Sequence, residues 1–205
     1  MILRRDLLVD RDIQAALRRG ELVVPELDPE LVRPAALSLR LGNEAYGVTS
    51  RQPVKVTDPA TYPELVPRPV EQSGVIILHP GEVLLVRTQE RVGLSDRLAG
   101  LLDGTSDWAR LGVSVVLAHQ VGPGYGIPDG APLTLEIVSR LNHDVQLRPG
   151  TRIANLLLRR GRRAPAIRSD ARAPLVTRMV GGVAVGRSGK RAPDPDRPFT
   201  ARGST

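Results

Sequence analysis

Hydrophobic and polar positions alternate along most of the central chain with the period of two that is typical of half-buried strands. In one such stretch Leu37, Leu39 and Leu41 alternate with Ser38 and Arg40. The same pattern recurs, with HPG, PG and RPG turns, in GVIILHPGEVLLVRTQERVGL, VSVVLAHQV, PLTLEIVSR and HDVQLRPGTRIANLLLRR. Short strands joined by such turns predict a mainly β protein, either a barrel or a sandwich.

Two short helices are predicted beside the strands. The first lies in DRDIQAALRRGEL, with Asp10 or Asp12 as its N-cap and Gly20 as its stop. Its apolar face comprises Ile13, Ala16 and Leu17. The second helix is predicted at SDWARLG. Residues 51–73 contain several prolines and little periodicity, so we expect a long irregular loop there.

The length and composition favour one domain followed by a tail. A chain of 205 residues can bury one sizeable core, and with only 2% aromatic residues that core must consist of Val, Leu, Ile and Ala. From about residue 160 the chain becomes rich in Arg, Pro and Gly and loses its periodicity. We therefore predict a β-barrel domain over residues 1–160 and a tail over 161–205, which is disordered or is ordered by a ligand or a neighbouring subunit.

Charge and cysteine content limit the function classes. The absence of cysteine excludes disulfides, thiolate metal sites and a Cys nucleophile. A net charge of +7 indicates an anionic partner, but the few aromatic residues argue against nucleic acid. Nucleotide phosphates would account for some of the arginines equally well. No apolar run reaches the roughly 20 residues that span a bilayer, so we expect a cytoplasmic protein without a membrane partner.

Several enzyme mechanisms lack the residues that they require. A zinc deaminase needs a PCxxC pair among its metal ligands, and this chain has no cysteine. The three histidines, His79, His119 and His143, lie on separate turns and strands and form no metal-binding spacing. Ser106 could pair with His119, but no GxSxG motif surrounds the serine. No zinc site and no serine-hydrolase site are expected.

One carboxylate occupies a position suited to catalysis. In PLTLEIV, Leu135 and Ile137 point to one face of a predicted strand, and Glu136 points to the other with Thr134 on its side. From the residues alone, Glu136 is either a solvated side chain on a sheet or a general acid and base in a crevice.

The ordered motifs resemble the dCTP deaminase branch of the dUTPase-like superfamily. The resemblance covers roughly residues 10–160 and is carried by LHPGEVLLVRTQERVGLSDRLAGLLDGTSDWARLGVSVVLAHQVGPGYG, TLEI and LRPGTRIANLLL. The matching family motifs are the HPGE turn, G-[RK]-S-S-x-x-R-L-G, A-[HG]-x-I-D-P-G, the L-E strand and PG-x-x-I. The resemblance implies a dUTPase-like distorted jelly roll, homotrimers with sites between subunits, and a nucleotide substrate whose phosphates carry Mg²⁺.

The same resemblance implies metal-free hydrolytic deamination of a cytosine nucleotide. Glu136 would be the general acid and base, Ser106 and Arg110 would orient water and substrate, and the carbonyl of Ala118 would hold the attacking water. The tail would close over a neighbouring site. The implied nucleotide contacts are Thr105, Ser106, Asp107, Trp108, Ala109, Arg110, Gln120, Gly122, Thr134, Leu135 and Lys190.

Four positions depart from the family pattern. Thr105 replaces a basic residue and Asp107 replaces a serine, so we expect a triphosphate to bind less well. Gln120 stands where many deaminases have Arg, and Gly122 stands where dUTPases have the Asp that activates water. The turn before Glu136 is also a few residues longer than in the family.

Three accounts therefore remain open. The first is a cytosine nucleotide deaminase with an altered substrate, and the second is an ordinary dCTP deaminase that binds phosphates through arginines in 159–172. The third is a non-catalytic nucleotide-binding relative. A dUTPase or bifunctional enzyme would need another base in place of residue 122.

Overall fold

A computed structural model of the chain describes residues 7–55 and 58–165, which fall into two units. The first unit comprises the described residues of Met1–Val48 and Val66–Ser169, and it contains the candidate site. The described residues of the second unit are 49–55 and 58–65.

The chain is mainly β, as the alternation predicts. Its strands are β1 (Leu22–Val23), β2 (Val32–Arg33), β3 (Ala36–Thr49), β4 (Glu64–Arg68), β5 (Ile76–Leu78), β6 (Val83–Leu94), β7 (Leu98–Gly104), β8 (Val113–Ser114), β9 (Gln120–Val121), β10 (Ala131–Ser139), β11 (Val145–Leu147) and β12 (Arg152–Arg160). The main sheet runs β8-β10-β6-β3-β12-β7-β9 through antiparallel pairs. Strands β5 and β11 form a separate small sheet.

Aliphatic residues on one face of this sheet form the core. Leu37 and Leu39 of β3 are fully buried, as are Leu156 and Leu158 of β12. Because burying a Leu side chain stabilises a fold by roughly 1.5–3 kcal/mol, these alternating positions hold the strands in register. The core therefore needs no aromatic centre, in line with the composition.

Both predicted helices are present, as α1 (Asp10–Arg18) and α2 (Ser106–Arg110). The predicted N-cap of α1 is wrong, because the cap is Val9 and the helix begins at Asp10. Asp12 instead accepts a hydrogen bond from the backbone N–H of Val9 at 3.3 Å. The stop at Gly20 is confirmed, since this residue has a φ of 67°, a conformation that glycine adopts without steric cost.

The expected loop over 51–73 is partly wrong. It contains a 3₁₀ helix at Pro59–Thr61 and includes strand β4. Within the second unit the Thr61 hydroxyl accepts the N–H of Lys55 and donates to the carbonyl of Asp58, both at 2.8 Å. These local bonds order a segment that has no hydrophobic periodicity to reveal it. In the part of the chain that the structure describes, no helix is long and apolar enough to cross a membrane.

Candidate functional site

Strand β10 directs Glu136 and Thr134 away from the core. Leu135 and Ile137 are fully buried on the inner face, whereas Thr134 is exposed and Glu136 is half-buried. The predicted alternation of this strand is therefore confirmed. Strand β10 lies between β6 and β8, so Glu136 has a neighbouring strand on each side.

Two backbone N–H groups orient the Glu136 carboxylate. Its Oε2 accepts hydrogen bonds from Leu117 and Ala118, each at 3.2 Å. Its Oε1 has no hydrogen-bond partner among the described residues. Because Leu117 is 57% exposed, the carboxylate stands at the protein surface with one oxygen fixed and the other open to a ligand.

This pair of bonds explains a wrong strand prediction. The segment VSVVLAHQV was expected to be one strand, but β8 ends at Ser114 and β9 begins at Gln120. Between them the N–H groups of Leu117 and Ala118 bind the Glu136 side chain, which fixes that stretch outside the sheet. Hydrophobic periodicity cannot reveal a side chain that competes for backbone donors.

A buried threonine sets the register of β10. The pairing of β10 with β6 shifts between Pro132 and Thr134. At this irregularity Thr88, which is 4% exposed, accepts the N–H of Leu133 at 2.9 Å and donates to the carbonyl of Glu90 at 2.8 Å. Since a shift of one residue would turn every side chain to the opposite face, this hydroxyl helps to determine that Glu136 points outwards.

Helix α2 carries most of the predicted phosphate contacts. Ser106, Asp107, Ala109 and Arg110 are exposed, and a long ion pair of 3.9 Å joins the side chains of Arg110 and Asp107. Trp108 differs from them, because it is half-buried against the core.

The indole of Trp108 anchors α2 to β12. Its Nε1–H donates to the carbonyl of Arg152 at 3.1 Å. A helix of this length does not persist alone, so the anchor presents the exposed side chains at a fixed place. Thr105 precedes the helix as its N-cap, without a side-chain cap bond. A contact between Trp108 and nucleotide stays a prediction.

The structure brings only part of the predicted constellation together. Ala118 lies beside the Glu136 carboxylate, as its N–H bond demonstrates. Among the described residues, no hydrogen bond or ion pair links Ser106 or Arg110 to Glu136. Lys190 lies outside the described residues.

Three further predicted contacts occupy distinct settings. Gln120 is exposed on β9, and Leu135 is fully buried, so only the backbone of Leu135 could meet a ligand. A Cβ on Gly122 would meet nothing within 4 Å. Packing therefore does not require glycine at position 122, and a side chain could occupy it.

The longer turn before β10 packs on the end of β6. The Tyr125 hydroxyl donates to the Pro132 carbonyl at 2.7 Å, and the Leu94 N–H donates to the Tyr125 carbonyl at 2.8 Å. Burial raises the pKa of Tyr125, so its hydroxyl stays a donor. Gly126 has a φ of 64°, and a Cβ there would lie 2.1 Å from the Val92 oxygen. This turn therefore requires glycine at position 126.

The three histidines lie in separate places, and two of them have a local partner. His119 donates from Nδ1 to the Leu102 carbonyl at 2.8 Å, and His79 pairs with Asp144 at 2.9 Å. His143 is exposed. Residues 7–55 and 58–165 contain no group of three or more His, Cys, Asp or Glu side chains that could hold a metal ion.

Comparison with known proteins identifies the family. The family described as dCTP deaminase-like matches residues 7–161. A dCTP deaminase, dUMP-forming, from Mycolicibacterium vanbaalenii is 34% identical over 199 residues, which are 94% of this chain and 96% of that protein. The protein of the same name from Thermobifida fusca is 32% identical and covers 94% of this chain and 93% of its own.

A solved structure agrees with these relatives. The 2′-deoxycytidine 5′-triphosphate deaminase from Agrobacterium tumefaciens matches with a TM-score of 0.56 and 27% identity. The match covers 76% of this chain and 48% of the other, so the matched part spans about half the length of that protein. The expected dUTPase-like fold class is thereby confirmed. Since the family match includes both α2 and Glu136, and the relatives extend over nearly the whole chain, this protein belongs to the dCTP deaminase-like family.

Proposed function

We propose that this chain is an enzyme that converts dCTP into dUMP. Water attacks C4 of the cytosine, its oxygen bonds to that carbon, and the amino group leaves as ammonia. A second water attacks the α-phosphorus, the bond to the β-phosphate breaks and pyrophosphate leaves. Because Gly122 carries no carboxylate, a group other than residue 122 takes the proton of this water. The observation that carries the proposal is the outward Glu136 carboxylate, which two N–H groups orient and which keeps one oxygen open. The names of the family relatives supply the substrate and the product.

Glu136 is the group that moves protons in this proposal. A carboxylate within reach of the attacking water can take its proton and deliver it to N3 of the base, which prepares C4 for attack. Leu117 and Ala118 hold Oε2, so Oε1 performs the transfer. Ser106 and Arg110 orient the water and the carboxylate, and the Ala118 carbonyl accepts from the water.

The complete site lies between subunits of a homotrimer in this proposal. Ser106 and Arg110 make no bond to Glu136 within the described part of one chain, and both are exposed on α2. A neighbouring subunit can bring its own α2 to Glu136 without unfolding either chain. The proposal therefore predicts the mass of three chains in solution.

In this proposal exposed groups bind the phosphates, and the tail closes the site over them. Residues 105–110 and Gln120 contact them, together with arginines near 159–172, and Thr134 and the Leu135 backbone contact the nucleoside. Mg²⁺ arrives with the triphosphate, whose oxygens are the hard ligands that this ion prefers. Residues 1–160 form the catalytic domain in this proposal, and the tail 161–205, including Lys190, covers the phosphates. The enzyme acts in the cytoplasm, where free nucleotides are available.

A substrate panel tests the function. Ammonia release is measured with dCTP, CTP, dCMP, CMP and cytidine in the presence of Mg²⁺, and the products from dCTP are separated. We expect dCTP to be deaminated fastest and dUMP to appear with pyrophosphate. Accumulation of dUTP would contradict the second step, as expected if no group replaces the carboxylate that is absent at Gly122. Preference for CMP or dCMP would indicate an altered phosphate requirement.

A non-catalytic nucleotide-binding protein is the second candidate. The observation that favours it is the loss of a basic residue at Thr105 and at Gln120 together with the negative charge added by Asp107, all in exposed or half-buried positions. Such a protein would bind a nucleotide on the panel without releasing ammonia. Binding without turnover would therefore decide for this candidate.

A further inference from the structure

A row of side chains, polar except for the buried Leu85, crosses one face of three strands beside Glu136. In the β10–β6 ladder Glu136 lies opposite Leu85, and Thr134 lies opposite Arg87. In the β6–β3 ladder Leu85 lies opposite Tyr46. Because directly paired residues project to the same face of a sheet, Arg87 shares the face of Thr134 and Glu136.

A carboxylate and a phenol hold Arg87 in this row. The Nη1 of Arg87 lies 3.0 Å from Oε2 of Glu44, and the Tyr46 hydroxyl donates to the other oxygen of Glu44 at 2.8 Å. This bond to the Glu44 carboxylate raises the pKa of Tyr46, so the phenol remains a donor. The guanidinium has five N–H donors, and among the described residues its one ion-pair partner is the Glu44 carboxylate. Its other donors are available to a ligand.

Ideal strand spacing puts the backbone of Arg87 within about the length of a nucleoside from the backbone of Glu136. Thr134 and Glu136 are roughly 6.7 Å apart along their strand, and Arg87 lies one strand away, about 4.8 Å to the side. On the opposite side, Leu117 and Ala118 already contact the carboxylate. In the placement that we propose, a pyrimidine with its C4 edge at Glu136 extends its sugar away from Leu117 and Ala118, towards Thr134 and Arg87.

We propose that Arg87 determines specificity by donating a hydrogen bond to the sugar hydroxyl of the nucleotide, which in dCTP is the 3′-hydroxyl. Glu44 and Tyr46 are positioning residues, because they act through Arg87. The inference rests on the proposed function for the placement of the base at Glu136. The alternation of hydrophobic and polar positions in the sequence does not indicate this contact with the sugar.

Paired substrates test this contact. We expect Arg87→Ala to lower kcat/KM for dCTP by about ten- to a hundredfold, mainly through KM, as the loss of one charge-assisted hydrogen bond does. With 2′,3′-dideoxy-CTP, which lacks the hydroxyl, Arg87→Ala and the wild type should have equal kcat/KM. Glu44→Gln should also lower kcat/KM for dCTP but not for 2′,3′-dideoxy-CTP, and by a smaller factor than Arg87→Ala. The matched control is Arg148→Ala, which removes an exposed arginine from the turn before β12. It should leave kcat/KM unchanged for both substrates.

The outcomes separate the inference from the proposed function. An equal loss with both substrates would mean that Arg87 is only structural, and no loss with either would exclude the contact. In both cases wild-type turnover of dCTP would still support the function. If the wild type releases no ammonia, the same comparison is made on the dissociation constants of the two nucleotides. Should Arg87→Ala fail to fold, Arg87→Met keeps most of the side-chain volume without any donor and serves as the test.

Discussion

At the scale of single residues, the faces of the strands follow from the sequence but the partners across strands do not. Alternation in β10 correctly places Glu136 and Thr134 outwards, with Leu135 in the core. It does not reveal that Thr88 binds the backbone of β10, or that Arg87 stands opposite Thr134. Both facts depend on the register between distant segments, which a period of two leaves undetermined.

The Thr88 hydroxyl is expected to support both stability and catalysis. Thr88→Val keeps the volume but leaves the buried N–H of Leu133 without an acceptor, which costs roughly 1–3 kcal/mol of unfolding free energy. Because the β10 irregularity loosens, kcat for ammonia release should also fall. Chemical denaturation and steady-state kinetics measure the two effects.

A conservative variant controls for this effect. Thr88→Ser retains the hydroxyl, so it should keep kcat near the wild-type value while losing some packing. If the Val and Ser variants have the same kcat, the hydroxyl does not orient Glu136.

At the scale of elements, helix α2 and strand β10 carry different halves of the candidate site. The sequence predicts both elements, and the structure contains both. The sequence does not predict the irregular stretch between β8 and β9, because that stretch depends on the side chain of Glu136. Helix α2 is fixed by Trp108 to β12, so its exposed side chains have a fixed place on the surface of the chain.

Mixed trimers test whether α2 and β10 act from different chains. Glu136→Gln and Arg110→Ala should each be inactive alone. When the two variants are co-expressed, some interfaces combine an intact Glu136 with an intact Arg110 from the neighbour, and ammonia release should return to a fraction of the wild-type rate. As the control, the two variants are purified separately and assayed under conditions in which their subunits do not exchange. No recovery in mixed trimers of proven composition would mean that both residues act within one chain.

At the scale of the whole molecule, aliphatic alternation accounts for the mainly β class, and an ion pair joins segments that lie far apart in the sequence. The sequence predicts the mainly β class because its buried positions are regular. One long-range contact that it does not reveal joins Glu21, after α1, to Arg160 at the end of β12, at 2.6 Å. The pKa of Glu21 is lowered to about 2, first through its hydrogen bond to Arg160 and also through its bond to Arg19.

This ion pair predicts a pH-dependent stability. The depressed pKa of Glu21 contributes stability that is present above its ordinary pKa of 4.5 and is lost as the pH falls through about 2. Both side chains keep some solvent contact, so Glu21→Gln should lower the unfolding free energy by only about 1–2 kcal/mol at pH 7. The wild type and Glu21→Gln are denatured between pH 7 and pH 2. The difference between their unfolding free energies should shrink as the pH falls below 4.5.

A nearby cation serves as the control for the pair. Arg19→Ala removes the more exposed partner of Glu21 and should cost less than Glu21→Gln. A gap between the wild type and Glu21→Gln that stays constant down to pH 2 would contradict the ionic origin of the effect.

The most direct test of the account is ammonia release from dCTP by the wild type and by Glu136→Gln, with dCTP binding measured on both. Glutamine keeps the shape of the side chain and an oxygen for the N–H groups of Leu117 and Ala118, but it cannot take a proton from water. We predict that the wild type releases ammonia and that the variant loses more than about a hundredfold in kcat while its affinity is retained. Equal turnover by the two proteins, or dCTP binding by the wild type without ammonia, would contradict the proposed role of Glu136.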